Sequence, residues 1–320
     1  MKGAVVLRLS IVIPFLGNPK RLEDTLVSVL ENRPSDSEIV VVLREPYNDP
    51  YELSGEVRFV EAPARAGRGD CIDLALAASA SPIVHVLGSG IEATPGWTDQ
   101  ALAPFADPQV AAVTPLVLDR FDPGRILSAG LDFTAGGAIR RLGAGQLLQR
   151  FRPEPGALGA AELLAAFYRR SALETVGPLG ELRSDRAAAV DLALMLHRAG
   201  YQCVVEPECA TLANRETMAV GGQWQEGVEA EALFRRWAHA AGWRRALLAH
   251  AGVLTLECLQ CPVRPATVCR LAGRFWTSVG FGPRRRALKP VGAVAGHALR
   301  PPHFFAASKS RKPIERRAAG

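Results

Sequence analysis

The chain has 320 residues, 48% hydrophobic and 22% charged, with 30 Gly and 23 Pro, a globular composition with room for one large domain or two small ones. No run of about 18 apolar residues lacks charge, so a membrane-spanning helix is not expected. The formal charge of +6 is uneven: from Pro283 onward ten Lys or Arg face Glu315 alone, so this segment carries +9 and the remainder −3.

The N-terminus, "MKGAVVLRLSIVIPF", lacks a small-residue cleavage site and reads as a first core strand rather than a signal peptide, which points to a cytoplasmic protein. "KRLEDTLVSVLENR" follows as an amphipathic helix with Leu22, Leu26, Val29 and Leu30 on one face. "EIVVVL" is an uninterrupted apolar run, as expected of a central parallel strand covered on both sides. "EVRFVEA" predicts a third strand, "GDCIDLALAAS" a second helix and "PIVHVLG" a fourth strand. "TPGWTDQALAPF" predicts a helix with Thr94 as N-cap and Pro95 in the first turn.

"VAAVTPLVL" continues the sheet, after which "GRILSAGLDFTAGGAIRRLGAG" has the texture of a hairpin or excursion. "AAELLAAFYRRSALETVG" and "AAAVDLALMLHRAGY" carry helical or buried signals, "QCVVEPECATL" is strand-like, and residues from about 223 to 279 read as helices. Strands alternating with helices predict an α/β fold with a mostly parallel sheet flanked by helices. The expected units are 1–222 for this domain, 223–282 for a helical extension and 283–320 for a basic, largely disordered tail. Two readings stay open for the tail: peripheral contact with anionic lipid at the inner membrane face, or a solvated segment without a partner. Nucleic acid is not expected, because no folded basic face accompanies the tail.

Six cysteines lie at positions 71, 203, 209, 258, 261 and 269, and "CLQCPVRPATVC" supplies only three zinc ligands, so they read as reduced thiols. A dinucleotide-binding dehydrogenase is excluded by the first turn, "IPFLGNPKR", which lacks the Gly-x-Gly-x-x-Gly pattern. His85, on the buried fourth strand, reads as a packed core histidine. Of the tryptophans 224, 237 and 243, the reading is core or a lipid- or partner-facing stripe rather than a sugar platform.

In order and spacing, six fragments between about Leu9 and Leu212 resemble the family 2 glycosyltransferases, whose nucleotide-sugar-binding α/β fold is called GT-A. They are "LSIVIPF", "RLEDTLVSVL", "GRGDCIDLALAAS", "GIEATPGW", "FYRRSALETVGPLGE" and "VDLALMLHRAGYQCVVEPECA". The resemblance implies a donor site formed by Pro14 and Phe15, Leu43, Arg68, Asp73 and the Gly88-Ser89-Gly90 turn with Glu92 after it. It implies an acceptor side at Trp97, Arg169 and Arg170.

Three acidic positions of the family are empty here. Leu43 stands where the second strand usually ends in an Asp for the nucleotide base, and Gly88 and Gly90 stand where carboxylates hold a divalent metal against the diphosphate. Ala188 and Ala189 stand where the catalytic base is usual, next to Asp191, and Asn214 or a neighbour replaces a late His. Mg2+ or Mn2+ is therefore left without its ligands. Several residues are candidates to compensate: Glu92 toward a metal, Asp185 or Asp191 as base, and Arg68 or Arg44 against phosphate oxygens. Glu92 and Asp185 also read plainly as solvated loop acids, and Arg68 as a solvated helix-start charge. Gly88-Ser89-Gly90 further admits a phosphate-cradling turn of backbone N–H groups.

Two functions remain open. One is sugar transfer from a nucleotide-sugar to a glycan or lipid-linked acceptor in cell-envelope or exopolysaccharide assembly, independent of metal. The other is a non-catalytic descendant that binds a partner, glycan or nucleotide.

Overall fold

The computed structural model describes residues 7–153, 159–179, 184–219, 222–238 and 242–281. The basic segment from 283 and the first six residues lie outside these. β1 (Leu9–Phe15) is buried at every position, and β2 (Ser37–Leu43) at all but its second and last. Between them runs α1 (Pro19–Asn32), started by Asn18, whose side chain accepts from the Arg21 amide, and by Pro19, which has no N–H to satisfy. α1 buries Leu22, Leu26 and Val29. β3 (Val57–Glu61), α2 (Arg68–Ala78) and β4 (Ile83–Val86) complete a parallel run ordered β3-β2-β1-β4.

The next segment departs from strict alternation. After β4 come β5 (Ile91–Ala93), α3 (Trp97–Leu102), β6 (Val110–Asp119) and β7 (Asp122–Ser128), which folds back antiparallel on β6. The Gly-rich excursion is a hairpin of β8 (Leu131–Phe133) and β9 (Ile139–Arg141). β10 (Phe167–Arg169), α4 (Arg170–Val176), α5 (Asp185–Arg198) and β11 (Gln202–Ala213) close the nine-stranded sheet, ordered β3-β2-β1-β4-β10-β6-β11-β5 with β7 beside β6.

Two expectations are corrected. The stretch read as helical or buried holds β10, antiparallel to both β4 and β6; three residues are too few to show a period of two. Thr94 does not cap α3, which begins after Gly96 in a left-handed conformation (φ +70°), while the Thr94 hydroxyl donates to the Ala210 carbonyl at 2.7 Å.

The C-terminal helices are α6 (Gln223–Trp237), α7 (Trp243–Gln260) and α8 (Ala266–Trp276). The stretch read as helices thus holds three, with a break before Trp243. α6 and α8 cross at glycines: a Cβ on Gly227 would sit 1.9 Å from the Arg270 carbonyl oxygen, and one on Gly273 2.2 Å from that of Trp224. No larger residue fits either position without separating the helices. α6 docks on α5, where the Trp237 indole donates to Asp191 at 2.9 Å. Among the described residues no helix is long and apolar enough to cross a membrane.

Candidate functional site

The parallel strands β1, β2 and β4 end together, the usual place for a ligand crevice in an open α/β sheet. At the end of β4 the Gly88 amide donates to the Leu164 carbonyl (2.8 Å), and that of Ile91 to the Gly88 carbonyl (2.9 Å), closing a tight turn. Gly90, at φ +93°, gives its N–H to the Thr25 hydroxyl (2.8 Å) and the Arg21 carbonyl (3.0 Å). The Ser89 hydroxyl donates to the Pro14 carbonyl at 2.9 Å, joining this turn to the end of β1.

The phosphate-cradling reading is corrected by these bonds, because the amides of Gly88, Gly90 and Ile91 already have protein acceptors. A divalent metal does not fit the turn either. Glycine supplies no oxygen ligand, and among the described residues no three His, Cys, Asp or Glu converge on a possible ion position. The surroundings are shaped to glycine: a Cβ on Gly88 would meet Leu164 at 3.1 Å, and one on Gly90 the Thr217 hydroxyl at 2.9 Å.

Two predicted residues are brought together at the starts of two helices. Arg68 is the first residue of α2 and Asp185 the first of α5, and Arg68 Nε lies 2.5 Å from Asp185 Oδ1 with both side chains mostly buried. Asp185 therefore sits on a capped helix, after Ser184, whose hydroxyl accepts from the Ala187 amide, and not in a loop that must swing inward. Burial pushes the Asp185 carboxyl above its ordinary range; Arg68 opposes the rise and Glu162 adds to it.

Glu162 was missed at the sequence level. It is fully buried, accepts from the Ser128 hydroxyl (2.8 Å) and pairs with Arg141 Nε (2.9 Å). Arg141 also bonds the Met218 carbonyl, next to the Thr217 that packs on Gly90. The available signal was a lone acid in the apolar stretch "GALGAAELLAAFY". Also missed was Tyr47, which lies between Phe15 (5.8 Å, edge-on) and Phe59 (6.0 Å) beside the ends of β1 to β3. Its buried hydroxyl has no hydrogen-bond partner, and burial, with Glu23 and Asp49 nearby, pushes it up to about 12.

The remaining predicted residues are engaged elsewhere. Pro14 and Phe15 are buried in β1, and Leu43 ends β2 half-buried. Arg44 turns back to the Leu16 carbonyl (2.6 Å) and to Glu45 (3.4 Å). Asp73 accepts from the Leu179 amide (3.0 Å), fastening the segment after α4. Glu92 lies in β5, not in a loop, and pairs with Arg120 at 2.6 Å.

Asp191 is buried at the α6 contact, between the Trp237 indole and Arg236 (3.4 Å), and Ala188 and Ala189 are buried beside it. A carboxylate held between those two groups is a docking contact, so Asp191 is corrected as a base candidate.

The acceptor side is also corrected. Trp97 is 1% exposed and donates its indole N–H to His85 Nε2 at 3.2 Å. Arg169 is paired with Ile83, the first residue of β4, which places it at the end of the sheet away from the Gly88 turn. It binds the carbonyls of Phe105, Asp107 and Val110, and Arg170 those of Leu76 and Ser81. Both arginines fasten loops. His85 itself is buried, stacked on Phe167 at 3.8 Å, and burial pulls its pKa down to about 3. The neutral ring then donates from Nδ1 to the Ala166 carbonyl (3.2 Å) and accepts from Trp97.

No protein-family model matches the chain, and no curated protein matches it in sequence. Solved structures do match. GalNAc-T7 with UDP, GalNAc and Mn2+ aligns over 65% of this chain and 43% of its own at TM-score 0.52 and 15% identity. A mannosyltransferase from Pyrobaculum calidifontis, PcManGT in complex with GDP-Man and Mn2+, aligns over 84% and 87% at TM-score 0.52 and 16% identity. TarS of S. aureus aligns over 72% and 39% at TM-score 0.50 and 13% identity. The chain spans less than half of GalNAc-T7 and of TarS, and nearly all of PcManGT. At these identities the likeness shows the fold: the chain has the GT-A glycosyltransferase architecture.

Proposed function

We propose that this protein binds a nucleotide-sugar in the cleft above Gly88–Gly90 and transfers the sugar to a glycan or lipid-linked acceptor in cell-envelope assembly, without a bound divalent cation. The observation that carries this reading is the Arg68–Asp185 pair, a cation and an acid of raised pKa held at the first residues of two helices. Two solved neighbours hold UDP with GalNAc, and GDP-Man, which supports a nucleotide-sugar as the ligand class.

In this reading the diphosphate takes the guanidinium, which offers it two parallel N–H donors, and Asp185 is released. The carboxylate accepts the proton of the acceptor hydroxyl as its oxygen bonds to the anomeric carbon. The bond from that carbon to the diphosphate breaks, and the nucleoside diphosphate departs with the electron pair, stabilised by Arg68. A carboxyl whose pKa is raised toward working pH is a better base than an ordinary surface Asp. In the same reading Tyr47, backed by the buried Phe15, offers its ring to stack on the base.

One observation favours a second reading, a binding module without transfer. The usual base positions are buried alanines, and Asp191 is held by α6.

Calorimetry with UDP- and GDP-sugars, with and without Mn2+, paired with an assay of donor consumption, separates the two. Metal-independent binding and turnover are expected of the natural protein. Asp185→Asn frees Arg68 and should bind donor at least as tightly, while turnover falls about 10²–10⁴-fold. Arg68→Ala should weaken donor binding about tenfold or more. Binding with no turnover in any acceptor mixture supports the module; no nucleotide binding at all defeats both readings.

A further inference from the structure

We infer that the outward side of α7 and α8 is a docking surface for an anionic lipid bilayer. It holds whether or not the cleft is catalytic. The two helices, joined by a short turn, distribute their side chains in the opposite sense to a water-facing hairpin. Their acid and two of their arginines turn inward: Arg274 is buried against Glu257 (3.0 Å) and Glu231 (3.6 Å), and Arg270 pairs with Glu226 and bonds Gln223. What faces outward is apolar. Leu248 is 77% exposed, Leu259 71%, Val263 81% and Phe275 69%, with Leu256 and Val268 about half exposed. A soluble helix normally presents charge on that side, and a contiguous exposed apolar surface marks an interaction site.

A bilayer is favoured over a second copy of the chain by the charges at the border. From 242 to 280 every exposed charged side chain is an arginine: Arg244 and Arg245 at the start of α7, and Arg264 in the turn before α8. In sequence the chain then continues into a segment of ten Lys or Arg, Arg284, Arg285 and Arg286 among them, with one acid. Arg244, Arg245 and Arg264 complement phosphate headgroups; a surface meeting its own copy would bring like charges together. Trp224 and Trp276, 6.1 Å apart and 44% exposed each, and Trp243 at the start of α7, add the ring type that settles between headgroups and acyl chains. Apolar insertion with a basic rim is how an interfacial helix lies on a bilayer without spanning it.

The test is flotation of the full-length protein with vesicles of phosphatidylcholine alone and of phosphatidylcholine with phosphatidylglycerol, at low and high salt. The natural protein should float with the anionic vesicles at least about tenfold better than with the neutral ones, and salt should reduce that preference. The triple variant Leu248→Glu, Leu259→Glu, Phe275→Glu replaces only exposed side chains and should melt as the natural protein does while losing about tenfold or more of the vesicle binding. Should that triple variant fail to fold, Leu259→Ser with Phe275→Ser takes its place and should lose a smaller, still measurable share. The proposal is overturned if the natural protein ignores anionic vesicles at low salt, or if folded variants float equally well. Light scattering that shows a dimer abolished by the same substitutions, without vesicle binding, assigns the surface to a second copy and overturns it too.

Discussion

β1, β4 and β6 hide runs of valine, isoleucine and alanine with hardly a charge among them, whereas the α7–α8 hairpin hides Arg274 and Glu257 and turns leucine and phenylalanine outward. The sheet is held by apolar contact among its own strands and helices. The hairpin is held by ion pairs, by the glycine crossing with α6 and by a small contact of Ala246 and His250 with Phe234, and its outward apolar residues contribute little to its own fold. A hydrophobic side chain therefore means different things in the two regions: in the sheet it reports the core, in the hairpin what lies outside the molecule.

The largest effect expected from breaking this contrast is at the hairpin's buried ions. Arg274→Ala removes the buried cation between Glu257 and Glu231, leaving them only Arg270 at 3.8 Å and His250 at 3.2 Å, and should cost about 3–5 kcal/mol, comparable with Phe167→Ala in the sheet at about 3–5 kcal/mol, both read by urea denaturation followed by tryptophan emission. The mechanisms then separate. Adding Glu257→Leu to Arg274→Met should recover most of the loss, since a buried pair is replaceable by packed apolar groups, while no second substitution at charged positions rescues Phe167→Ala.

Next in size is the acid sensitivity of the sheet. His85 is neutral when folded, with a pKa near 3 against an ordinary 6.5. Its contribution is thus complete above 6.5 and is lost as pH falls toward 3, with a slope approaching about 1.4 kcal/mol per pH unit. In His85→Phe that slope should be absent, so the stability gap between natural protein and variant should narrow steadily from pH 6.5 to pH 4. A constant gap would mean that His85 is charged in the fold.

A smaller cost is expected from restoring the absent carboxylate of the cleft. Gly90→Asp places a side chain at φ +93° against Thr217 and should lower stability by about 1–3 kcal/mol without creating Mn2+ binding detectable by calorimetry. The smallest effect is at the outward leucines: Leu248→Glu, at a side chain 77% exposed, should shift unfolding in free solution by less than about 0.5 kcal/mol.

Much of the sheet was legible because its strands are long apolar runs closed by turns. β1, β2 and β6 lie where "LSIVIPF", "EIVVVL" and "VAAVTPLVL" put them. β10 escaped because its three residues pass for the start of the following helix. In the cleft, the chemistry at Arg68 and Asp185 was visible as residue types, but their meeting across 117 positions was not. Asp191 and Trp97 misled for the same reason from opposite sides. Both fit a motif, and both have their polar atoms taken by residues distant in sequence, Trp237 and His85. The outward side of α7 and α8 was the hardest to read, since periodicity shows that apolar residues share a side and not which way that side turns.

The hydrogen bond between Trp237 and Asp191 has a mechanical consequence. α5 carries Asp185 at its first turn and Asp191 six residues later, about 9 Å along the axis. One helix thus carries both the proposed base and the bracket on which the C-terminal helices are mounted. If those helices rest on a surface, the height and tilt of α5 above it are set by this joint together with the Arg186–Glu226 and Ser184–Glu229 contacts.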